Sequence, residues 1–354
     1  MANGNDEIIK DSNQVPGLDY FYSSFFNDET IAPCKKGENM LQLKQHDVFV
    51  RIETDLEICH QLFEEFSPKK SLFELWEFRY AFYLGDKCQP VFLIFERSGE
   101  PIGLLPLWYE SDNDELRWFG SWWQEGNTFW INDKSLIPSI INLFPQKILL
   151  NAISVSPRMA KKLGFVADDP KYLLSLEEYP NIEVFLQKFN KKKRYNLCRD
   201  QKIILSYHPK TVINRFSDIE NLFKLSIKRF ADKDKSAFVR PERRKTFREI
   251  IKLAKEYEPR MITTEINGKI VGVDLAAIHK GIYYSLNGAY DLKRYPGLGN
   301  YTNFVLIQDA INLGAKAVDF LEVSYGWKED WFKPIPLFQF KGYLDQGKSL
   351  MLGQ

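Results

Sequence analysis

A glycine-rich segment near the C-terminal end of the chain has residue types and a spacing that suit phosphate binding. The segment is Arg294-Tyr295-Pro296-Gly297-Leu298-Gly299-Asn300, between a predicted strand at 282–289 and a predicted helix at 301–313. Backbone N–H groups at the start of a helix lack intrahelical acceptors and lie at the positive end of the helix dipole, so they attract anions. Glycine permits close approach and positive φ, and the Arg294 guanidinium can add a charge-assisted contact. An ordinary turn is the alternative, but the flanking strand and helix favour phosphate binding.

Length and composition are those of an ordinary globular protein. A chain of 354 residues with 44% hydrophobic and 27% charged residues is long enough for two domains. Its net charge of +1 provides no overall field for DNA or a membrane surface. The four histidines have no metal-binding spacing, and the cysteines form no CxxC pair, so neither a metal site nor a disulfide framework is expected. No secretory signal and no membrane-spanning run is visible, which predicts a cytoplasmic protein.

The predicted elements follow a similar order in two halves of the chain. A polar leader (1–44) precedes two tandem domains, 45–180 and 181–354. Each domain is predicted to contain a strand, two helices, an antiparallel hairpin and further strands. In the second domain Asn267-Gly268 separates two apolar runs, which is a strong hairpin signal. The predicted fold class is α/β, with helices flanking mixed, mostly antiparallel sheets.

A dense basic segment lies at the start of the second half. Lys191-Lys192-Lys193-Arg194 falls within a predicted helix at 182–198, is followed by Arg199 and Lys202, and precedes a predicted strand at 203–207. Such runs are usually a solvated helix face. The functional alternative is a contact surface for an anionic donor, which could be CoA, an acyl carrier protein or aminoacyl-tRNA.

This order of elements resembles the GNAT superfamily of N-acyltransferases. The pyrophosphate signature of that family is Gln/Arg-x-x-Gly-x-Gly/Ala, and Arg294, Gly297 and Gly299 match it. Two such halves in tandem are similar to the FemABX-related group. The first half has no glycine signature, so the resemblance implies a degenerate N-terminal domain that could serve the acceptor side.

Several segments of the second half resemble, more closely, the CelD-type acetyltransferases linked to exopolysaccharide synthesis. They are residues 191–199, Tyr290-Asp291 and the segment 318–331, with Val-Asp-Phe-Leu at its start. The chain departs from these relatives at Trp327-Lys328, where they usually have Tyr-Lys. Glu322 and the two residues after Val323 also stand where small or Gly/Asp residues are common.

The resemblance implies an N-acyltransferase that uses an acyl-CoA, such as acetyl-CoA, as donor. Its pyrophosphate would bind Arg294, Gly297, Leu298, Gly299 and Asn300. The implied acceptor is an amino sugar or nucleotide sugar in polysaccharide or envelope biosynthesis. Two alternatives stay open: a FemABX-like transfer from aminoacyl-tRNA to a peptidoglycan precursor, and a non-catalytic scaffold that binds a glycan or nucleotide.

The resemblance also places the donor's arm between the predicted strands at 282–289 and 317–323. Tyr325 follows the second strand and is the candidate general acid towards the leaving sulfur, with a rim aromatic as the alternative. Asp319 and Glu322 are three residues apart on that strand, so their side chains are expected on opposite faces. Asp319 matches the family's Asp-Phe-Leu and is preferred for a role at the acceptor amine or in the structure.

Two further residues and one segment are assigned roles. Asp291 is expected to cap the glycine turn or to contact the acceptor. Lys328 matches a lysine that FemABX-like enzymes use near the donor's phosphate and reacting end, with a solvated lysine as the alternative. In the first half, residues 118–127 place tryptophans beside polar amides, which could stack against sugar rings, with core packing of Trp118 as the alternative.

Overall fold

We describe the protein from a computed structural model, which covers residues 48–121, 123–141, 147–230, 236–323 and 326–342 together with the strands at 31–33 and 40–43. The strands up to residue 175 are β1 (Ile31–Pro33), β2 (Met40–Leu43), β3 (Val48–Glu53), β4 (Gln89–Arg97), β5 (Glu100–Glu110), β6 (Glu115–Trp118), β7 (Trp130–Ile131), β8 (Leu149–Ile153), β9 (Val166–Ala167) and β10 (Lys171–Ser175). The later strands are β11 (Lys210–Ile213), β12 (Glu258–Ile266), β13 (Lys269–His279), β14 (Ile282–Tyr290), β15 (Ala317–Asp319), β16 (Pro334–Ile335) and β17 (Phe338–Lys341).

Helices cover these sheets. The α-helices are α1 (Leu56–Phe66), α2 (Trp76–Asp86), α3 (Ile137–Ile141), α4 (Pro157–Lys162), α5 (Ile182–Gln187), α6 (Lys191–Leu205), α7 (Ile219–Phe230), α8 (Pro241–Lys252), α9 (Leu298–Asn312) and α10 (Lys328–Trp331). Short 3-10 turns lie at Leu72–Glu74, Lys134–Leu136, Phe216–Asp218 and Ala237–Val239. The predicted class, with helices flanking mixed and mostly antiparallel sheets, is confirmed.

Two large sheets and one small sheet organise the described chain. The first sheet has the order β1-β2-β3-β4-β5-β6, with β7 paired to β5, and is antiparallel throughout. The second has the order β11-β12-β13-β14-β15-β10-β16, and its pair β14·β15 is parallel. The small sheet is β8-β17-β9. A shared aromatic core, including Phe73, Phe78, Phe247 and Tyr284, joins the helices of the two halves.

Two strands cross the predicted domain boundary at residue 180. Strand β10 comes before the boundary but pairs with β15 in the second sheet, where Leu173 is opposite Asp319. Strand β17 comes near the end of the chain but pairs with β8 and β9 of the first half. The division into 45–180 and 181–354 therefore stays a prediction based on chain order, and the two halves exchange a strand.

Part of the predicted leader is ordered into strands. Segments β1 and β2 pair with each other, and β2 pairs with β3 so that they extend the edge of the first sheet. The alternation in Met40-Leu41-Gln42-Leu43 is short, so the composition of the surrounding polar residues obscured it. The other residues of 1–47 lie outside the part of the chain that the structure describes.

The prediction of a strand at 203–207 is wrong, because the helix that carries the basic segment continues to Leu205. Asn190 accepts a hydrogen bond from the Lys193 N–H and so begins a separate helix, α6, which continues to Leu205. Leu197 and Ile204, seven residues apart, are the buried positions of α6, which is a helical and not a strand period. The strand follows later, as β11.

Helix α1 begins at Leu56, directly after its cap residue Asp55. The Asp55 carboxylate accepts hydrogen bonds from the Glu57 and Ile58 N–H groups at 2.9 and 3.0 Å. We expect Asp55→Ala to lower the free energy of unfolding by about 1 kcal/mol, because those two amides lose their acceptor. Urea unfolding measures this, and Asp55→Asn, which keeps an acceptor, should stay close to wild type. A loss as large in the Asn variant would contradict capping as the cause.

None of the helices within the described residues has the combination of length and apolar character that crossing a membrane requires.

Candidate active site

Strands β14 and β15 run in parallel and then separate. They pair at Ile282 with Ala317, Tyr283 with Val318 and Tyr284 with Asp319, where β15 ends. Strand β14 continues to Tyr290, so its outer edge beyond residue 284 has no strand partner in the described chain. The β13·β14 register shifts between Leu275 and Ala276, which places a bulge in β14 in this same stretch. The open edge offers backbone N–H and C=O groups to an extended ligand.

The segment after β15 has an unusual backbone. Leu321 and Val323 have φ of 62° and 65°, a left-handed conformation that β-branched residues in particular avoid. This conformation ends the strand at Asp319, so Glu322 does not lie on a strand as predicted. Strain of this kind is kept when surrounding contacts determine it, and it is concentrated at functional sites. Here the contacts come from Lys328 and Glu125.

Lys328 stabilises this strained segment through hydrogen bonds to its backbone. Its buried ammonium group donates to the carbonyl oxygens of Phe320 and Glu322, both at 2.6 Å, and of Leu321 at 3.3 Å. Burial lowers the pKa of Lys328 to about 8, while the neighbouring carboxylates act in the opposite direction. Because all three ammonium protons have backbone acceptors, the Lys328 side chain supports the segment. It is not the solvated lysine of the alternative interpretation.

Glu125 reaches the same segment from the first half of the chain. Its side chain is only 3% exposed, and its Oε1 accepts a hydrogen bond of 2.8 Å from the Glu322 N–H. No described residue gives a hydrogen bond to Oε2. Burial, together with the charges of Asp319 and Glu322, raises the pKa of Glu125 well above its usual value. Glu125 is therefore a buried carboxyl group between the two halves, directly behind Glu322.

The segment that carries Glu125 is fixed by a buried arginine. The Arg79 guanidinium donates to the Phe119 carbonyl at 3.0 Å and to the Asn127 side-chain oxygen at 2.8 Å. Trp118 is buried, and so are most described residues of the segment 118–127, as in the core-packing alternative. Trp123 is half-buried and packs edge-on against Phe247.

Asp319 is a buried ion-pair partner. Its carboxylate is 1% exposed and lies 2.7 Å from Nζ of Lys171, which comes from the exchanged strand β10. Its other oxygen accepts a hydrogen bond from the Leu321 N–H at 3.0 Å. Burial lowers the pKa of Lys171, but the attraction and hydrogen bond of Asp319 more than offset this, so that the pKa is raised. With both oxygens engaged, Asp319 positions the segment.

Glu322 presents the most accessible carboxylate of this group. The side chain is half-buried, whereas those of Glu125 and Asp319 are buried. Burial, then the charges of Asp168 and Asp169, raises the pKa of Glu322 to about 8. A carboxylate with such a pKa, near neutral pH, is well matched to take a proton from an amine. Tyr325, the predicted general acid, lies outside the described residues.

The glycine turn has the predicted backbone. Gly297 has φ of 91° and precedes α9, which begins at Leu298, three residues earlier than predicted. The Asp291 side chain accepts a hydrogen bond from the Arg294 N–H at 3.3 Å, as expected for a residue that caps the turn. The exposed Arg294 guanidinium lies 5.4 Å from the centre of the Tyr295 ring. The role of these residues in donor binding stays a prediction.

A carboxylate of the protein lies against this turn. Asn300 Nδ2 donates to Oδ2 of Asp200 at 2.9 Å, and Asp200 comes from the basic helix α6. A Cβ added to Gly297 would lie 2.9 Å from the Asp200 Cβ. Most other charged residues of α6 face outwards, with Lys191, Lys192, Arg199 and Lys202 exposed, beside a Tyr195 that is 67% exposed.

Three residues that shape this region had no assigned role in the sequence. Glu125 lies within the tryptophan-rich segment, but no local pattern shows that it reaches the end of β15. The role of Lys171 depends on the pairing of β10 with β15, which the local sequence does not indicate. Asp200 could have been noticed as the one acidic residue in α6. Among the described residues, no group of three or more His, Cys, Asp and Glu is arranged to hold a metal ion.

Comparisons with known proteins agree with this geometry. The family described as "Acetyltransferase (GNAT) domain" matches residues 191–329. Among solved structures, FemX is similar with a TM-score of 0.52 at 12% identity, covering 83% of this chain and 97% of FemX. L-PGS from Bacillus licheniformis is similar with a TM-score of 0.50 at 13% identity, covering 81% of this chain and 91% of that chain. No curated protein matches the sequence. Residues 191–329 therefore match a GNAT acetyltransferase domain, and the chain as a whole has a fold similar to those of FemX and L-PGS.

Proposed function

We propose that this protein transfers an acyl group to an amine at the point where β14 and β15 separate, with Glu322 as the general base. The observation that carries this proposal is the position of Glu322. Glu125 from one half and Lys328 from the other hold its backbone at the end of β15. Glu322 is half-buried, its pKa is raised to about 8, and it follows β15, the strand that ends beside the open edge of β14.

The proposed reaction is a direct displacement. The amine nitrogen attacks the acyl carbonyl carbon, a C–N bond forms, and the Glu322 carboxylate accepts the proton that the nitrogen loses. We propose that backbone N–H groups on the open edge of β14 donate to the developing oxyanion. The intermediate then collapses, the bond from the acyl carbon to the donor's leaving atom breaks, and the leaving atom takes the proton that Glu322 accepted, which restores the carboxylate. No acyl-enzyme intermediate is required.

The surroundings of Glu322 favour a cationic acceptor. Asp168 and Asp169 add negative charge beside Glu322, and a protonated amine would be attracted to this acidic edge. We propose the amine of an amino sugar or nucleotide sugar as acceptor, in line with the resemblance to CelD-type acetyltransferases. That resemblance supports a role in polysaccharide or envelope biosynthesis.

Features of the second half suit three classes of donor. The Arg294-x-x-Gly297-x-Gly299 spacing favours an acyl-CoA, but the Asp200 carboxylate against Gly297 does not fit a pyrophosphate in the turn. That contact, with the exposed basic side of α6, supports the second candidate, which is transfer from aminoacyl-tRNA to an amine of a peptidoglycan precursor. An acyl carrier protein would also suit the basic surface.

A matrix of donors and acceptors tests the proposal. Purified protein is incubated with acetyl-CoA, longer acyl-CoAs or mixed aminoacyl-tRNA, together with glucosamine, UDP-linked amino sugars or a lysine-containing muropeptide. Mass spectrometry detects the N-acylated product. Formation of an amide with any pair is the expected result. Tight binding of a glycan or nucleotide without any product would support the scaffold interpretation and contradict the proposal.

Glu125 provides a second test, as a positioning residue. In Glu125→Leu the Glu322 N–H loses its acceptor, and we expect turnover to fall about tenfold or more with little change in the KM for donor. Glu125→Gln keeps a carbonyl oxygen in the same place, so it should restore most of the activity. Equal loss in both variants would show that Glu125 does not act through the Glu322 backbone. Steady-state kinetics of both variants, with a donor and an acceptor that yield product in the assay above, makes this comparison.

A further inference from the structure

The glycine turn and the helix that covers it raise the question of which anion the turn accepts. We propose that Asp200 is an internal anion held against the glycine turn, and that it selects against donors with a pyrophosphate there. Asp200 is thus a specificity-determining residue. The inference rests on the proposed function only in taking β14 and α9 as the donor-binding elements.

The contact of Asp200 with the turn is direct. An ideal Cβ on Gly297 would lie 2.9 Å from Cβ and 3.2 Å from Cγ of Asp200, so only glycine leaves room for this side chain. Asn300, in the first turn of α9, donates its side-chain N–H to the Asp200 carboxylate at 2.9 Å. The close approach that glycine permits is therefore used by a carboxylate of the protein. A phosphate bound at this face of the turn would lie beside the Asp200 carboxylate.

The position of Asp200 is fixed by the packing of α6. Leu197 and Ile204 are the buried residues of this helix, and Asp200 lies between them on the same face. Ile204 packs in one cluster with Leu298 and Tyr301 of α9. Moving Asp200 away from the turn would therefore require the helix to shift or the side chain to give up its contact with Asn300. The packing of α6 therefore keeps the Asp200 carboxylate next to the turn.

Electrostatics favour the same interpretation. A carboxylate at the N-terminus of the fifteen-residue helix α9 is stabilised by the helix dipole. A pyrophosphate in the same place would meet this negative charge at close range, where like charges repel strongly. Arg199 lies 2.9 Å from Asp200, but its side chain is 53% exposed and faces solvent. The favoured donor is thus one whose anionic part contacts the outer, basic side of α6.

Binding of CoA to engineered turns tests this inference. Calorimetric titration compares wild type with Asp200→Ser, which removes the charge and opens space, and with Asp200→Asn, which removes the charge alone. We expect both variants to bind CoA at least tenfold more tightly than wild type. Adding Arg294→Ala to Asp200→Ser should abolish the gain, which would place the bound CoA at the turn. Inorganic pyrophosphate serves as a second probe.

A matched control separates the turn from general charge effects. Asp330 pairs with Lys193 of the same helix α6, so Asp330→Ser makes the same change in net charge away from the turn. CoA affinities that are equal in wild type and both Asp200 variants, with unchanged melting temperatures, would overturn the proposal. A gain shared by the Asp330 variant would also overturn it. Neither result bears on the acyl-transfer proposal, which is tested by product formation and by Glu322.

Discussion

Replacing Glu322 by glutamine is expected to lower turnover by a factor of about 10² to 10⁴, the usual contribution of a general base. Glutamine keeps the size and polarity of the side chain but cannot accept the proton. The backbone contacts from Glu125 and Lys328 are made to the Glu322 main chain, so they persist in the variant. We therefore expect the fold and the KM values to stay close to those of wild type, with the loss confined to kcat.

The pH dependence of the rate should identify the same group. A carboxylate acts as a base only when it is ionised, and the pKa of Glu322 is raised to about 8. Activity of the wild type should therefore rise with pH through about 8, and this rise should be absent in the glutamine variant. In Asp169→Asn one of the neighbouring negative charges is removed. The rise should then move to lower pH.

Two outcomes would contradict the assignment of Glu322. One is a Glu322→Gln variant that retains more than about a third of the wild-type kcat. The other is a pH profile whose midpoint does not move in Asp169→Asn, while Glu322→Gln still shows the rise. Carboxyl ¹³C shifts, measured against Glu322→Gln to assign the resonance, would report the pKa without any substrate. This measurement keeps the test independent of the identity of the donor.

Replacing Lys171 by methionine is expected to lower the free energy of unfolding by about 3–5 kcal/mol, because it leaves a buried charge on Asp319 without its partner. Lys171 and Asp319 lie 2.7 Å apart, and the Asp319 side chain is 1% exposed. Urea unfolding followed by circular dichroism measures the loss. The double variant Lys171→Met with Asp319→Asn should recover much of it, because the uncompensated charge is then gone.

An exposed pair of the same kind provides the control for this measurement. Lys193 and Asp330 are 2.5 Å apart, and their side chains are 32% and 56% exposed, against 21% and 1% for Lys171 and Asp319. Exposed ion pairs contribute about 0–1 kcal/mol, so Lys193→Met should change stability by no more than that. A Lys171→Met variant as stable as Lys193→Met would show that Asp319 finds another partner, and the role given to the exchanged strand β10 would then be wrong.

Local signals in the sequence were enough for the hairpins and for the glycine turn. Asn267 and Gly268 both have positive φ, as a two-residue hairpin turn between apolar runs requires. Gly297 has positive φ directly before α9, in the expected place between a strand and a helix. These features depend on residues within a few positions of one another, which is why the pattern of the sequence reveals them.

The end of β15 shows where such signals fail. The apolar run from Ala317 to Val323 predicts a strand of seven residues, yet positive φ at Leu321 and Val323 ends it at Asp319. Contacts from Glu125 and Lys328 maintain that backbone, and Glu125 lies almost two hundred positions away along the chain. Nothing local distinguishes Glu322, which we propose as base, from Asp319, which the family resemblance favoured. The choice depends on tertiary contacts.

The exchange of β10 and β17 between the two halves bears on how the chain is made. Strand β17 is synthesised after every other described strand, yet it lies between β8 and β9 of the first half. The small sheet therefore cannot be completed until the second half has been synthesised, and closure of such a long loop is slow. Strand β10, whose Lys171 pairs with Asp319, likewise cannot pair until β15 has been synthesised. A gene split at the predicted boundary would separate each half from a strand of its own sheet.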